Sequence, residues 1–235
     1  MMISVCMATY KGEAFVREQL QSILSQLSSD AEIIVADDGS TDGTLQVVES
    51  MDDPRIRVLP AEKRLGVIYN FERALQAANG DIIFLADQDD IWLPGKVAAV
   101  VDKLKECDMV MHDAFMLRQS DAQTGQWQRS GRLSDIRPYR SGVVGNWWKN
   151  TFTGCCMAFR KNVLEKALPF PKKLPMHDQW LGIVAERFFK VGFIADSLVD
   201  YRQHITNATR IGNSPAGFFQ KVKWRLSLAW TILRR

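Results

Sequence analysis

At 235 residues, with 46% hydrophobic and 24% charged residues, the chain has the composition of a folded globular domain with a sizeable core, not of a disordered or fibrous polymer. It holds no apolar run of the roughly 18 residues a membrane-spanning helix needs, and residues 1–9 lack the basic leader and small-residue cleavage site of a signal peptide. The net charge of +3 is uneven: residues 201–235 carry seven Lys or Arg and no acid, so the tail is +7, while 23 basic and 27 acidic residues leave the body at −4. A basic tail suggests a polyanionic partner such as a membrane surface or a nucleic acid.

Apolar runs alternate with amphipathic stretches through the first half. Residues 3–7 predict a strand and 13–26 a helix, with Phe15, Leu20, Ile23 and Leu27 near one face. A second strand follows at 32–36, then a helix capped by Ser40 or Asp42 and carrying Leu45, Val47 and Val48. Residues 55–59 predict a short strand, and 67–78 a helix stopped by Asn79–Gly80. Residues 81–86 form a continuous apolar strand, and a helix runs over 94–105 with Pro94 at its first position. Such alternation implies an α/β fold with a mostly parallel central sheet flanked by helices. Ligands bind such sheets beyond the carboxyl ends of the strands, which places residues 8–10, 37–38 and 87–90 at one edge.

Residues 112–150 break the pattern, being polar and bearing Trp127, Trp147 and Trp148, and read as a long excursion over the site. Order returns with a strand at 151–159, a helix at 177–189 and short strands at 193–195 and 198–201. A loop at 207–215 leads to a last helix over 216–235. On that helix Phe218, Phe219, Val222, Leu226, Ala229, Trp230 and Leu233 share one face, with Lys and Arg off it. This pattern suits either a membrane interface or packing on the domain. Cys6, Cys107, Cys155 and Cys156 show no metal-binding spacing, and read as reduced thiols of a cytosolic protein.

The strongest chemical signal is FLADQDD, which sets Asp87, Asp89 and Asp90 directly after a buried strand. Three carboxylates in four residues repel one another unless a cation offsets them, and hard oxygen ligands suit Mn²⁺ or Mg²⁺. Helix capping is the plainer alternative, strongest for Asp90. VADDGSTDGT and MATYKGEAF end the other strands and fit turns as well as a nucleotide pocket. Asp178 in MHDQW could be a general base or an N-cap, and Arg202 and His204 in YRQHITN are ambiguous alone. The chain has no GxGxxG, GxxxxGK[ST] or GxSxG motif, so dinucleotide, P-loop and hydrolase-elbow sites are unsupported.

In their order, TYKGEAFVREQLQSIL, VADDGSTDGT, FLADQDDIWLPGK, TGCCMAFRKNVL, MHDQW and YRQHITNAT resemble the family 2 glycosyltransferases, from about residue 3 to 209. Within that family the chain looks like bacterial members that build cell-surface polysaccharide, including rhamnosyltransferases. The resemblance implies one glycosyltransferase-A domain over 1–215, with a nucleotide-sugar half at 1–111, an acceptor half at 112–215 and a basic amphipathic helix at 216–235. It implies a donor pocket of Thr9, Tyr10 and Glu13, with Asp38 accepting from the base N–H, Asp37 more structural and Asp87 near the donor ribose or its metal. Asp89 and His204 would hold Mn²⁺ or Mg²⁺, and Asp178 would be the catalytic base. Where many relatives have Glu-Asp, this chain has His177–Asp178.

The implied activity is inverting transfer from a UDP- or dTDP-linked sugar to a carbohydrate acceptor of a surface polysaccharide or lipid-linked glycan. The enzyme would be cytoplasmic, touching the inner membrane face through 216–235 and no nucleic acid. The rivals are a catalytically inactive glycan-binding or assembly relative and a nucleotidyltransferase. The latter usually needs a Gly-rich basic phosphate loop that TYKGEAF lacks.

Overall fold

The computed structural model describes residues 1–119, 126–203 and 217–235. Its first half runs β1 (Ile3–Thr9), α1 (Val16–Leu24), β2 (Glu32–Asp37), α2 (Thr44–Glu49), β3 (Ile56–Leu59), α3 (Val67–Ala77) and β4 (Ile82–Asp87). The apolar runs of β1, β2 and β4 are buried almost throughout, as strands covered on both faces must be. They pair in parallel in the order β3-β2-β1-β4, with Thr9 opposite Asp37 and Ala8 opposite Asp87. Helix α1 buries Val16, Gln19, Leu20 and Ile23, one stripe at helical spacing. All three strand ends therefore deliver their polar residues to one edge of the sheet.

The second half runs β5 (Ile91–Trp92), α4 (Lys96–Lys103), β6 (Met109–Gln119), β7 (Trp127–Arg132), α5 (Leu133–Ile136) and α6 (Val143–Trp148). A 3-10 turn at Gly154–Cys156 leads to β8 (Met157–Arg160), α7 (Asn162–Ala167), α8 (His177–Phe188), β9 (Val191–Gln203) and α9 (Phe218–Leu233). The sheet continues β4-β8-β6-β9-β5, with β7 on β6. Here the pairing is mixed: β6 and β9 are parallel, while β8 and β5 run antiparallel to their neighbours.

Several sequence expectations change. The segment 112–150 is not one surface excursion, because its first eight residues belong to β6, an interior strand of the sheet. The polar pair His112–Asp113 hides that strand in the sequence. Both side chains are buried: His112 Nδ1 lies 2.7 Å from the Asp113 carbonyl, while the Asp113 carboxylate accepts from Ala114 N, Ser134 N and Ser134 Oγ. The register slips on either side of Asp113, a bulge built around these bonds. The strand expected at 151–159 shrinks to β8, since residues 154–156 form the 3-10 turn. The two short strands after α8 are one long strand, β9.

Local punctuation also differs. Pro94 does not open α4; Gly95 precedes it in a left-handed conformation (φ 86°). Gly80 is required by close approach and not as a helix cap: a Cβ there would stand 2.6 Å from the Ser4 backbone nitrogen. The residue before α2 is Gly43, and Asp42 anchors its start by accepting from Thr44 N and Thr44 Oγ1. All four cysteines are buried and free. Among the described residues no helix is long and apolar enough to cross a membrane.

Candidate active site

Asp37 and Asp38 are adjacent but serve opposite sides of the β2 end. Asp37 Oδ1 accepts from Thr9 Oγ1 at 3.0 Å and Ser40 Oγ at 2.5 Å, and Oδ2 accepts from the backbone N–H of Gly39 and Ser40. Asp37 is thus the clamp that folds the turn after β2 onto β1, and it also occupies Thr9. Asp38 points the other way. Its oxygens accept from Leu65 N at 2.6 Å and Gly66 N at 2.9 Å, in the loop that enters α3.

Tyr10 is held by its backbone. Gln88, between the acidic residues, accepts from Tyr10 N at 2.8 Å and donates to Tyr10 O at 3.0 Å. The ring faces the Arg64 guanidinium, whose carbon sits 4.0 Å from the ring centroid, and Arg64 Nε lies 3.8 Å from Asp38. Tyr10, Asp38 and Arg64 therefore border one space. Glu13 bridges to the next loop, accepting from Gly43 N at 2.8 Å. Sequence reasoning missed Gln88 and Arg64, because neither type carries a positional signature outside the fold.

Beyond β4 the carboxylates crowd. Asp90 is fully buried; Oδ1 accepts from Arg202 N at 3.1 Å, and the Cys155 side chain donates to the same carboxyl group. Burial first, then the charges of Asp89 and Asp87, hold its pKa well above the usual carboxylate range. Asp87 is pushed up to about 8 by burial, helped by Asp89 and Asp178. The Arg202 side chain donates to Asp89 O at 3.4 Å and to Glu18, so β9 straps this loop to α1. Lys96 is completely buried, donating from Nζ to the Cys155 carbonyl at 2.8 Å over the Trp92 ring. Burial lowers its pKa to about 8. A buried lysine at the start of α4 reads in sequence as an ordinary surface residue.

The acidic group fits a divalent cation. One oxygen each of Asp87 and Asp90 and the Cys155 sulfur lie within 4.8 Å of one another, the one such trio among the described residues. Asp89, the metal ligand expected from sequence, is 92% buried next to this trio but not part of it. His204, the other expected ligand, lies outside the described residues.

Asp178 sits in the first turn of α8, where helix N–H groups favour a carboxylate. It is not the N-cap, which is Met176. Oδ1 accepts from Asn150 Nδ2 at 3.0 Å and from Gln179 N at 2.5 Å. Burial outweighs these bonds and nearby Arg137, leaving the pKa raised to about 6. That is a value poised for a general base near neutral pH. Its charge acts on Asp87 across the same space. The neighbouring His177 is stacked on Phe71 at 4.1 Å, and burial lowers its pKa to about 3, so it is a neutral packed ring.

A surface cleft of about 460 Å³ lies beside this group, lined by Phe15, Glu18, Trp127, Arg129, Asp200 and Arg202 among others. Neither Asp87, Asp89 nor Asp178 lines it, so the chemistry is assigned to the strand edge and not to this cleft.

Residues 4–168 match the family described as Glycosyl transferase family 2. An uncharacterized glycosyltransferase of Nostoc sp. (strain PCC 7120 / SAG 25.82 / UTEX 2576) is 30% identical over 216 residues, covering 88% of this chain. The chain spans 66% of that relative, just under two thirds. S. aureus TarS 1-349 in complex with UDP-GlcNAc matches with a TM-score of 0.75 at 20% identity, over 99% of this chain and 67% of that one. Glucosyl-3-phosphoglycerate synthase from Mycobacterium tuberculosis, in complex with Mn²⁺, UDP and phosphoglyceric acid, matches with a TM-score of 0.60 at 20% identity, over 99% and 78%. At such identities the two structures speak to the fold, which is the glycosyltransferase-A fold. With the family match covering most of its length, this chain belongs to the family 2 glycosyltransferases.

Proposed function

We propose that the chain moves a sugar from a UDP- or dTDP-linked donor to a hydroxyl of a carbohydrate acceptor, with inversion, in the building of a surface polysaccharide or lipid-linked glycan. The observation that carries this reading is the meeting of two groups at one sheet edge. The ends of β1, β2 and β4 gather Thr9, Tyr10, Asp38 and Asp87 at one edge, and the charge of a buried carboxylate, Asp178, whose pKa is about 6, reaches Asp87 there.

In this reading residues 1–111 hold the donor and 112–215 the acceptor. The Tyr10–Asp38–Arg64 space takes the base; the Asp38 oxygens keep lone pairs beyond those given to Leu65 and Gly66 and can accept a base N–H. Thr9 and Glu13 shape that pocket through Asp37 and Gly43. Asp87 faces the ribose or its metal, and Asp89, with His204, would hold Mn²⁺ or Mg²⁺. A bound cation would supply positive charge against the departing diphosphate. Asp178, oriented by Asn150, removes the proton from the acceptor hydroxyl as that oxygen attacks the anomeric carbon. The Mn²⁺, UDP and UDP-sugar bound by structural relatives support both donor and metal.

The same proposal puts the enzyme on the cytoplasmic face of the membrane. Helix α9 packs through Leu228, yet turns Leu226, Trp230 and Leu233 outward, each 60% exposed or more, beside Lys223 and Arg234. Trp148, held by Arg225 of α9, is 63% exposed. Aromatic and aliphatic side chains among cations suit an anionic lipid interface.

The test is a panel of UDP-, dTDP- and GDP-sugars, each with and without Mn²⁺, read by thermal shift. Metal-dependent stabilisation by one nucleotide class, absent in Asp89→Ala, is the expected result. No shift with any donor under any metal would remove the basis of this reading.

A further inference from the structure

We infer that Arg137, with Arg140 and Lys149, binds a diphosphate group carried by the acceptor, beside the hydroxyl that Asp178 deprotonates, an assignment that rests on the transferase reading of that site. Arg137 reaches the base through one shared carbonyl. Its Nη1 donates to Phe152 O and to Thr153 Oγ1, each at 3.4 Å. Asn150 Nδ2 donates to the same Phe152 O at 3.2 Å and to Asp178 Oδ1 at 3.0 Å. Burial raises the pKa of Asp178, and the Arg137 charge is the strongest influence against it. The two charges nevertheless form no ion pair. Both Nη1 contacts lie at the outer limit of hydrogen bonding, and the Nε–Nη2 edge has no partner among the described residues. That edge presents two parallel N–H groups, the arrangement that grips two oxygens of one phosphate.

The surroundings add positive charge and no spare acid. Arg140 N donates to Thr151 Oγ1 at 3.2 Å and Arg140 O accepts from Asn146 Nδ2 at 2.7 Å, which holds Arg140 against the backbone that carries Lys149 and Asn150. The Arg140 and Lys149 side chains are exposed, and neither forms an ion pair with a described residue. Residues 133–150 contain one acid, Asp135, which accepts from Arg132 N at 2.8 Å at the start of α5. Glu186 of α8 is engaged by the hydroxyls of Tyr139 and Ser141. Neutral sugar hydroxyls would balance none of these cations and a lone carboxylate only one. A diphosphate carries more than one charge and has oxygens for all of them. On the short helix that ends at Lys149, Val144 and Trp148 are 77% and 63% exposed, apolar surface that suits a diphosphate attached to a lipid.

The experiment is calorimetry of the whole chain with farnesyl diphosphate, in EDTA so that no cation holds a diphosphate in the donor site. Saturable binding is expected, weakened at least about tenfold in Arg137→Ala. It should be unchanged in Arg187→Ala, an exposed arginine at the far end of α8. Farnesol, which lacks the charge, should bind at least about tenfold more weakly than the diphosphate. Inorganic pyrophosphate separates the two sources: equal affinity assigns the site to a free diphosphate, weaker affinity to a lipid-linked one. Circular dichroism checks folding, and Arg137→Gln, which can still donate to Phe152 O, replaces Arg137→Ala should the latter not fold. No binding by the wild type, undiminished binding by the folded Arg137 variant, an equal loss in Arg187→Ala, or farnesol binding as tightly would overturn the inference. Metal-dependent stabilisation by a nucleotide sugar is read on the same samples. Its presence without diphosphate binding refutes this inference alone, whereas diphosphate binding without it refutes the proposed function and leaves the site standing.

Discussion

Asn150 donates its side-chain amide to Oδ1 of Asp178 at 3.0 Å, and in return holds the segment before the 3-10 turn through Phe152, whose N–H donates to Asn150 Oδ1 at 2.9 Å. One residue thus ties the proposed base to the chain that enters β8. Asn150→Ala should lower kcat about tenfold while leaving donor KM nearly unchanged, since the base stays but loses its orientation. Steady-state kinetics on the variant check this split.

Asp178→Asn keeps the shape and removes the base. A fall in kcat of about 10²–10⁴-fold is expected, with nucleotide-sugar affinity retained in calorimetry. In the wild type kcat/KM should rise with pH through an apparent pKa of about 6, because the unprotonated carboxylate is the active form. Asn150→Ala should move that midpoint upward, as the amide favours the charged carboxylate.

The acidic edge makes stability depend on pH in a direction that can be worked out. Burial and neighbouring charges raise the folded pKa of Asp87 to about 8, above its unfolded value of about 4. Its contribution to stability is therefore full below about pH 4 and is lost as pH rises toward 8. A divalent cation binds the ionised form, so the gain in melting temperature on adding Mn²⁺ should grow from pH 6 to pH 8. Melting curves at the two pH values, with and without metal, measure it.

Asp38 joins two elements before it meets any ligand. Asp38→Ala removes a buried carboxylate from the half-buried Leu65 N and Gly66 N, at a cost of about 1 kcal/mol. Denaturant unfolding should show that loss, and nucleotide binding should weaken with it.

For the membrane contact, Leu226, Trp230 and Leu233 changed together to Ser should leave the fold intact, since all three face outward. Co-sedimentation with vesicles containing phosphatidylglycerol should fall, and donor binding should not. Unchanged sedimentation would place the α9 face outside the lipid contact.

Much of the first half was legible because burial on both faces writes an uninterrupted apolar run. β1, β2 and β4 are such runs, and their carboxyl ends carry TYKGEAF, VADDGSTDGT and ADQDD, while the remaining acidic motif, MHDQW, opens α8. The centre of the second half was hidden for the converse reason. Strand β6 carries buried His112 and Asp113, and the Asp113 carboxylate is satisfied by Ser134, 21 residues further along the chain. Family order singled out Asp38 and Asp178, but nothing in VADD tells that Asp37 spends its carboxylate on the turn while Asp38 reaches the α3 loop. Lys96, Gln88 and Asn150 acquire meaning only from partners dozens of residues away, or in Lys96 from complete burial.

The most direct measurement is proton NMR of a UDP- or dTDP-sugar incubated with the protein and Mg²⁺, which avoids the broadening caused by Mn²⁺. Release of nucleoside diphosphate, with free sugar appearing first in the anomeric configuration opposite to that of the donor, is the predicted result, and chelating the cation should stop it. Intact donor after prolonged incubation across all nucleotide classes, with the cation present and the protein folded, would contradict the account.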